Sequence, residues 1–385
     1  MNMHLVTGNH AAGHSMCLAG EANRHARGAV AGIYPITPQT EIVEYAARFP
    51  FSKGAIIPVE SEHSAMGVCI GASVNGARSF TASSSNGLAY MAENIMVAAF
   101  YRLPIVMAAV NRTLGPPWNI WADQGDSLMF RDFAWIQLYC DSNQDVADTT
   151  LLAFRIAEDE RVLLPVMVCM DAFIISHTST EIELATQEQV DHFLQPCEIP
   201  HHLDPEHPFT VGGMAFPQET LSHRLEIHEA MRRVPGVIEE HRDNFKAAFG
   251  REVSGAVSAY RTEDADRILI TSGSISTTVK EAVDQWREQG ENVGMVRIKL
   301  FRPFPREQIR ELCAGAKKIG VLDRNYSAAT GGVFCHEVLA SLQGQGNHLV
   351  QGYLTGVGGG DVVPRLVYEV IEDLSARSAA GCLLY

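Results

Sequence analysis

The sequence predicts an α/β protein in which a doubly wound parallel sheet is followed by a second, smaller α/β unit. The first observation is a series of short segments that are apolar throughout, at residues 28–34, 55–59, 78–82 and 104–110. Strands of a parallel sheet are covered on both faces, so they read as continuous apolar runs. The second observation is that helix-like segments alternate with these runs, as at residues 39–48 and 87–100. This alternation is typical of a parallel sheet with helices on both faces.

The pattern divides the chain into three regions. Further strands at residues 135–140 and 166–169 carry the first unit to residue 186. Prolines and histidines then concentrate, and charged helix-like runs follow, which predicts an irregular connector or arm. Residues 267–272 (RILITS) begin a second series of strands and helices. We therefore predict regions at 1–186, 187–256 and 257–385.

Composition and charge exclude several classes of protein. With 46% hydrophobic and 19% charged residues among 385, the chain is globular and long enough for two or three domains. A formal net charge of −15 argues against nucleic acid or an anionic membrane as the main partner. The apolar runs are too short to span a bilayer and no signal-like start is evident, so we expect a cytoplasmic protein.

Metal and phosphate motifs are absent from the sequence. None of the eight cysteines forms a CxxC pair, so no ligand set for zinc or an iron–sulfur cluster is expected. The histidines between residues 192 and 208 match no metal-binding spacing. The glycine-rich residues 356–361 do not form a GxxxxGK[ST] phosphate loop, and we predict a flexible loop there.

Glu62 is the first candidate for chemistry. It stands between two apolar strands, at the start of a small-residue helix that runs to residue 76. A carboxylate in such a place would be desolvated, which favours its protonated form and suits it to share a proton with a heterocyclic nitrogen. The alternative is that Glu60 and Glu62 merely begin a helix, where acidic residues interact favourably with the dipole.

Thr37 and Arg112 are the other two candidates, each at the end of a predicted strand. Thr37 precedes Pro38 and would cap a helix whose free N–H groups could bind a carboxylate, or would be an ordinary N-cap. The fork of Arg112 could bind a carboxylate bidentately. It could instead form a structural ion pair with Asp123 or Asp126.

Together these segments resemble a known family. Residues 34–38 (YPITP), 60–65 (ESEHSA), 111–114 (NRTL) and 118–121 (WNIW) resemble the α subunit of pyruvate:ferredoxin oxidoreductase. More broadly, they are similar to thiamine-diphosphate-dependent 2-oxoacid:acceptor oxidoreductases, and the resemblance covers nearly the whole chain. It implies that residues 1–186 are a pyrimidine-binding domain, 187–256 a connector, and 257–385 a transketolase C-terminal-like domain.

The resemblance also implies roles for the candidates. Glu62, rather than Glu60, would contact the aminopyrimidine ring of thiamine diphosphate and promote its imino tautomer. Thr37 and Arg112 would bind the carboxylate of the 2-oxoacid. The products would be CO₂ and an acyl-CoA, with electrons passing to ferredoxin.

Other parts of the active site are expected on partner chains. The family's diphosphate and magnesium motif, GDG followed by an asparagine, is missing, and Gly125-Asp126-Ser127 is only its nearest approach on a different stretch. The resemblance therefore implies a β subunit that supplies Mg²⁺ and the diphosphate site. It also implies a γ subunit and a ferredoxin-like δ subunit with iron–sulfur clusters, while coenzyme A takes the acyl group.

Two departures from the family pattern bear on the substrate. His10 stands where relatives usually have glutamate, and Gln124-Gly125 replace a histidine-containing pair. Loss of the imidazole could make room for a bulkier oxoacid, such as phenylglyoxylate or a branched-chain oxoacid, with NAD reached through an FAD-containing flavoprotein subunit. Two other functions stay open: a non-catalytic assembly subunit, and a self-sufficient transketolase-type enzyme, which the missing GDG motif disfavours.

Overall fold

The computed structural model of the chain describes residues 3–208 and 210–384, and its strands and helices alternate as the sequence predicts. The strands are β1 (Met3–Val6), β2 (Ala29–Ile33), β3 (Gly54–Pro58), β4 (Arg78–Ser83), β5 (Ile105–Asn111), β6 (Ile136–Tyr139), β7 (Val166–Asp171), β8 (Thr180–Glu183), β9 (Val257–Tyr260), β10 (Arg267–Thr271), β11 (Val293–Ile298), β12 (Leu300–Arg302), β13 (Lys318–Asp323), β14 (Leu349–Leu354) and β15 (Cys382–Leu384). The helices are α1 (Gly8–Ala22), α2 (Thr40–Arg48), α3 (Glu62–Val74), α4 (Asn86–Tyr90), α5 (Ala92–Phe100), α6 (Gly125–Leu128), α7 (Asn143–Ala157), α8 (Gln187–Phe193), α9 (Pro217–Phe249), α10 (Ile275–Glu288), α11 (Arg306–Cys313), α12 (Val333–Leu342) and α13 (Pro364–Ala376).

The first unit is built on a seven-stranded sheet with the order β3-β2-β4-β5-β7-β6-β12. All neighbouring strands are parallel except β12, which runs antiparallel to β6. From β2 the chain moves outward to β3 and then returns to place β4 on the other side. The order therefore reverses between β2 and β4, and open α/β sheets bind ligands in the crevice at the carboxyl ends of such strands.

Helices cover both faces of this sheet. The apolar residues of α1, α2 and α7 share one core cluster with strand residues, and those of α3 and α5 belong to another on the opposite side. Helix α3 packs tightly on β2, since a Cβ at Gly32 would collide with the carbonyl of Ala65. The small-residue run thus brings the start of α3 close to the sheet.

The second unit is a six-stranded sheet with the order β15-β14-β13-β10-β11-β9. Its strands are parallel except β9, which is antiparallel to β11. Apolar residues of α10 and α13 pack on one face, while α11 and α12 contribute to the core cluster that also contains α3 and α5. The two units therefore share a continuous apolar core.

Further contacts join the two units. Strand β12 follows β11 in the chain but pairs with β6 of the first sheet. Arg297 and Lys299, both buried, form ion pairs with the buried Asp145 of α7, and the Lys299 Nζ to Asp145 Oδ1 distance is 2.8 Å. These two cations hold the pKa of Asp145 well below its usual range, even though burial acts in the opposite direction.

The structure corrects the connector prediction. The two helix-like runs are one 33-residue helix, α9, which contains Pro235 and packs against α7 and α8. The predicted helix over residues 87–100 is divided at Met91 into α4 and α5. The sequence reading also missed the antiparallel pair β1–β8 and the strands β9, β12, β14 and β15. The boundaries at 186/187 and 256/257 stay a prediction.

None of the helices in residues 3–208 and 210–384 combines the length and the apolar character needed to cross a membrane.

Candidate active site

The three predicted site residues lie at the same edge of the first sheet. Thr37 follows β2, Glu62 follows β3 and Arg112 follows β5. Because these strands are parallel, their carboxyl ends meet at one edge, where the strand order also reverses. The topology therefore places the predicted residues at one edge of the sheet, where such folds bind ligands.

Glu62 is the first residue of α3, and only 7% of its surface is exposed. Ser61 caps the helix by accepting a hydrogen bond from the backbone N–H of Ser64. A Cβ at Gly87 of α4 would lie 2.8 Å from Glu62 Oε1, so the side chain lies directly against the α4 backbone. Within the described residues, no hydrogen bond or ion pair engages its carboxylate. A carboxylate in a mostly buried residue that its own chain leaves free is available to a ligand.

Glu60 provides a contrast two residues earlier. It is exposed to solvent, and its carboxylate accepts a hydrogen bond from the hydroxyl of Ser64. That hydrogen bond lowers the pKa of Glu60. Glu60 therefore has the ordinary role of an acid at a helix start, which sequence alone had left open for both residues.

Ser83 is a second unpaired polar group in this crevice, and the sequence analysis did not single it out. It is the last residue of β4 and is fully buried. Its hydroxyl has no hydrogen-bond partner among the described residues. A Cβ at Gly87 would lie 2.5 Å from Ser83 Oγ, so Ser83 and Glu62 flank the same glycine. The serine-rich stretch after β4 was its only signal in the sequence.

The predicted capping role of Thr37 is wrong. Helix α2 begins at Thr40, and Gln39 occupies the cap position. The side chain of Gln39 donates to the carbonyl of Tyr34 at 2.7 Å, and its N–H donates to Ile36 O at 2.9 Å. These bonds close a turn before the helix starts. Thr37 stays on the outside of this turn, exposed and joined to Pro38 by a cis peptide bond.

Arg112 and Thr37 are brought together as predicted. Arg112 Nη1 donates to the carbonyl of Thr37 at 2.6 Å. Its guanidinium forms no ion pair with Asp123 or Asp126 within the part of the chain that is described; only its backbone N–H reaches Asp126. Its Nε is buried and unpaired, and burial lowers the pKa of Arg112, partly offset by the charge of Asp126. Donors of the guanidinium are therefore available to a ligand anion.

Asp126 fixes the loops that carry these groups, a role the sequence analysis missed. It is fully buried, and its carboxylate accepts hydrogen bonds from the N–H groups of Ser85, Arg112 and Ser127 and from Asn111 Nδ2, all at 2.8–3.0 Å. Burial raises its pKa to about 7, against the effect of these donors. The Gly-Asp-Ser segment is thus an internal brace between the loops after β4 and β5.

Asn9 is another residue that the sequence analysis did not identify. Its side-chain amide donates to the carbonyl of Pro38 at 2.6 Å and to Glu41 at 2.7 Å. The other oxygen of Glu41 lies 3.1 Å from Nε2 of His177. Asn9 therefore holds, through Pro38, the same turn that Arg112 contacts through Thr37.

Gln124, the first residue of the pair that departs from the family pattern, lies at the boundary between the two units. Gln124 is buried, and its Nε2 donates to Asp171 Oδ1 at 3.2 Å. Its N–H donates to the carbonyl of Arg324 in the second unit at 2.9 Å. The side chain thus takes part in the contact between the two units.

In the described residues, no group of three or more His, Cys, Asp or Glu side chains could hold a metal ion.

Comparison with known proteins agrees with this arrangement. Residues 21–243 match the family described as pyruvate flavodoxin/ferredoxin oxidoreductase, thiamine-diphosphate-binding. Residues 265–367 match the pyruvate:ferredoxin oxidoreductase core domain II.

Two curated relatives cover most of the chain. It is 43% identical to the pyruvate synthase subunit PorA of Methanothermobacter thermautotrophicus, over 91% of this chain and 92% of that protein. It is 42% identical to the ketoisovalerate oxidoreductase subunit VorA of Pyrococcus horikoshii, over 98% of this chain and 95% of that protein.

Solved structures share the fold. A 2-oxoglutarate:ferredoxin oxidoreductase from Magnetococcus marinus superposes with a TM-score of 0.70 at 21% identity, covering 97% of this chain and 65% of that one. A split-gene transketolase superposes with a TM-score of 0.56 at 13% identity, covering 96% of this chain and 98% of that one. The α/β fold with parallel sheets is confirmed by these likenesses.

The fold, the crevice and the relatives define a class of enzyme subunit that acts on 2-oxoacids within a multi-subunit oxidoreductase. The chain belongs to the pyruvate flavodoxin/ferredoxin oxidoreductase family, as an α subunit of the 2-oxoacid:ferredoxin oxidoreductase type.

The residues present fit the ring portion of thiamine diphosphate. A planar heterocycle with an N–H edge needs an acceptor that its own protein leaves free, and Glu62 is such an acceptor. The unpaired hydroxyl of Ser83 beside the same glycine supplies a second polar group.

Proposed function

We propose that this chain forms half of the active site of an enzyme that oxidatively decarboxylates a 2-oxoacid to CO₂ and an acyl-CoA. The observation that carries the proposal is the buried Glu62 carboxylate, which no described residue engages, at the carboxyl edge of the first sheet. When bound, thiamine diphosphate supplies the carbanion chemistry that decarboxylation requires.

Glu62 holds a proton for the reaction. Its carboxylate accepts a hydrogen bond from a ring nitrogen of the aminopyrimidine and shares that proton with it. The side chain lies against the backbone at Gly87, so the proton is transferred within a fixed geometry. Ser83 completes the polar contacts around the ring.

Arg112 and Thr37 bind and orient the substrate carboxylate. Arg112 is already fixed to the Thr37 carbonyl, so its remaining donors point in a defined direction without further loss of side-chain entropy. The exposed Thr37 hydroxyl adds a neutral donor.

The remaining parts are proposed to come from partners: a β subunit with Mg²⁺ and the diphosphate site, and a γ and a ferredoxin-like δ subunit whose iron–sulfur clusters pass electrons to ferredoxin. The low charge fraction of 19% agrees with a chain that buries surface against other subunits.

Two substrate classes are favoured. The relatives named pyruvate synthase support pyruvate, and those named ketoisovalerate oxidoreductase, which match over 98% of this chain, support a branched-chain oxoacid. Phenylglyoxylate, with NAD reached through a flavoprotein that carries FAD, is a third class; like the branched-chain oxoacid it is supported by the departures from the family pattern at His10 and Gln124-Gly125.

The test is an assay of the purified complex with coenzyme A and ferredoxin. Pyruvate, 2-oxoisovalerate and phenylglyoxylate are compared by kcat/KM, with NAD as an alternative acceptor. We expect pyruvate or 2-oxoisovalerate to exceed phenylglyoxylate by at least about tenfold, the discrimination expected for a difference of this size in an apolar pocket. Absence of acyl-CoA from all three would overturn the proposal.

A further inference from the structure

The glycine-rich loop after β14, residues 356–360, is not a free flexible segment. Residues Val357–Gly359 form a single 3₁₀ turn, and Gly356, Gly358 and Gly359 have positive φ angles of 65°, 69° and 85°. Its start is held by Arg324, whose Nη1 donates to Gly356 O at 3.2 Å. The loop belongs to the second unit, yet its outer side packs against the first.

Its partner is the loop that follows Arg112. Residues 113–122 leave β5 and fold back, so that Ala122 forms an antiparallel bridge with Arg112. The N–H of Thr113 donates to Trp121 O at 3.1 Å, and Trp121 N–H donates to Asn119 Oδ1 at 2.6 Å. We name residues 113–122 the return loop. Its closing end lies beside Arg112 itself.

The glycine-rich loop holds the return loop at two points. Asn119 Nδ2 donates to Gly358 O at 3.0 Å, and the N–H of Gly359 donates to Ala122 O, also at 3.0 Å. Between these bonds, the backbone of Gly359 lies against Trp121, and a Cβ at Gly359 would collide with the Trp121 Cβ. Gly359 therefore meets two requirements at once, a positive φ and a close approach.

We propose that the glycine-rich loop is a positioning element for substrate binding, and that Gly359 is its positioning residue. It fixes the return loop, and Ala122 of that loop fixes the backbone at Arg112. Arg112 is in turn the residue proposed to bind the oxoacid carboxylate. The second unit thus contributes to the oxoacid site of the first without contacting the substrate. This inference rests on the function proposed for Arg112.

A matched pair of variants separates this role from general stability. Gly359→Ala introduces a Cβ at φ +85° against Trp121. Gly290→Ala introduces one in the same unit at φ +86°, where no atom lies within 4 Å. Both positions have nearly the same positive φ, but only the variant at Gly359 is expected to displace the return loop. Gly358→Ala is a milder form, since its Cβ would meet Asn119 Nδ2 at 3.3 Å.

Two measurements are made on the assembled complex. The first is steady-state kinetics. We expect Gly359→Ala to raise the KM for the oxoacid at least about tenfold, because a displacement of about 1 Å in a positioning contact has effects of this order or larger. The KM for coenzyme A and the melting temperature should match those of Gly290→Ala, and Gly358→Ala should show a smaller rise in the oxoacid KM.

The second measurement is hydrogen exchange of peptides covering residues 112–122. It should be faster in Gly359→Ala and unchanged in Gly290→Ala. An oxoacid KM that stays at the wild-type value in Gly359→Ala, or rises equally in Gly290→Ala, would overturn the positioning role. Should Gly359→Ala not assemble, Gly358→Ala decides by the same criteria. A wild-type complex that oxidises no oxoacid would instead refute the proposed function, whereas the exchange result would still report on the loop contact.

Discussion

The two sheets have the same topological feature, but the carboxylates beside it are engaged differently. We call the edge with Glu62, which no described residue engages, the open edge, and the edge with Asp323 the closed edge. In the second unit the strand order reverses between β10 and β13, as it does between β2 and β4 in the first. At that point in the second unit, Asp171 of the first unit accepts hydrogen bonds from the N–H and hydroxyl of Ser274, at 2.8 and 2.5 Å. The N–H of Gln124 also donates to Arg324 O there. Groups of the first unit thus bond to residues at this edge of the second unit.

The carboxylates at the two edges differ in the same way. Asp323, at the end of β13, is fully buried and accepts hydrogen bonds from Asn325 Nδ2 and from the N–H groups of Phe334 and Cys335 at the start of α12. Glu62 is also buried at the start of a helix, yet no described residue donates to its carboxylate. A shared topology therefore does not make a site; an unsatisfied buried group at the switch point does.

The largest effect is expected from removing the charge at the open edge. Glu62→Gln keeps the size of the side chain but cannot take up the ring proton, so we expect the rate of oxoacid oxidation to fall by about 10²–10⁴-fold. Thermal stability should change little, because the carboxylate stabilises nothing within the described chain. Rates are measured in the assembled complex.

Glu60→Gln is the matched control, two residues earlier and exposed. It should keep nearly the wild-type rate. Equal rates for the two variants would contradict the catalytic role and favour a subunit that serves assembly only.

The two sheets also show which strands can be predicted from the sequence and which cannot. The parallel sheets could be predicted because their strands are buried on both faces and therefore have continuously apolar sequences that alternate with helices. Strands β9, β12 and β15 could not be predicted, because short strands at sheet edges lack such a continuous apolar sequence. Strand β12 also pairs with a strand more than 160 positions earlier in the chain.

For the site, Glu62 and the pairing of Thr37 with Arg112 could be anticipated because each follows a strand of one sheet. The roles of Ser83, Asp126 and Asn9 could not, since each depends on contacts between separate segments. The Thr37 cap failed for a local reason: Gln39 competes successfully for the turn by bonding to Tyr34. The packing of the glycine-rich loop could likewise not be predicted, because Gly359 packs against Trp121, which lies 238 positions earlier in the chain.

A smaller effect is expected from substitution of Arg112, which lies at the same open edge as Glu62. Arg112→Lys keeps the positive charge. A lysine ammonium lacks the planar array of donors with which arginine can bond to the Thr37 carbonyl and bind a carboxylate bidentately at the same time. Loss of one charge-assisted hydrogen bond costs about 1.5–3 kcal/mol, which corresponds to a fall in kcat/KM for the oxoacid of about 10–100-fold. Most of the change should appear in KM.

Arg48→Lys is the matched control, because it makes the same substitution at an exposed position at the end of α2. It should leave kcat/KM unchanged. A wild-type KM for Arg112→Lys would show that the substrate carboxylate is bound elsewhere.

The smallest effect concerns the closed edge and is visible only as a dependence of stability on pH. Burial raises the pKa of Asp323 to about 6, although the Asn325 amide and the α12 N–H groups lower it. A carboxyl group whose pKa is higher in the folded than in the unfolded state stabilises the fold fully below about pH 4, and this contribution is lost as the pH rises to about 6. Asp323→Asn removes this titration. As the pH rises from about 4 to about 6, the melting temperature of the variant should therefore rise relative to that of the wild type. The corresponding change in the free energy of unfolding is about 3 kcal/mol at most.

Asp243→Asn, at an exposed position on α9, is the control, and its melting temperature should follow that of the wild type at every pH. A constant difference in melting temperature between Asp323→Asn and the wild type from pH 4 to 7 would contradict this role of Asp323. Oxoacid oxidation at pH 7 should be unaffected, since the hydrogen bonds of Asp323 lie within the second unit.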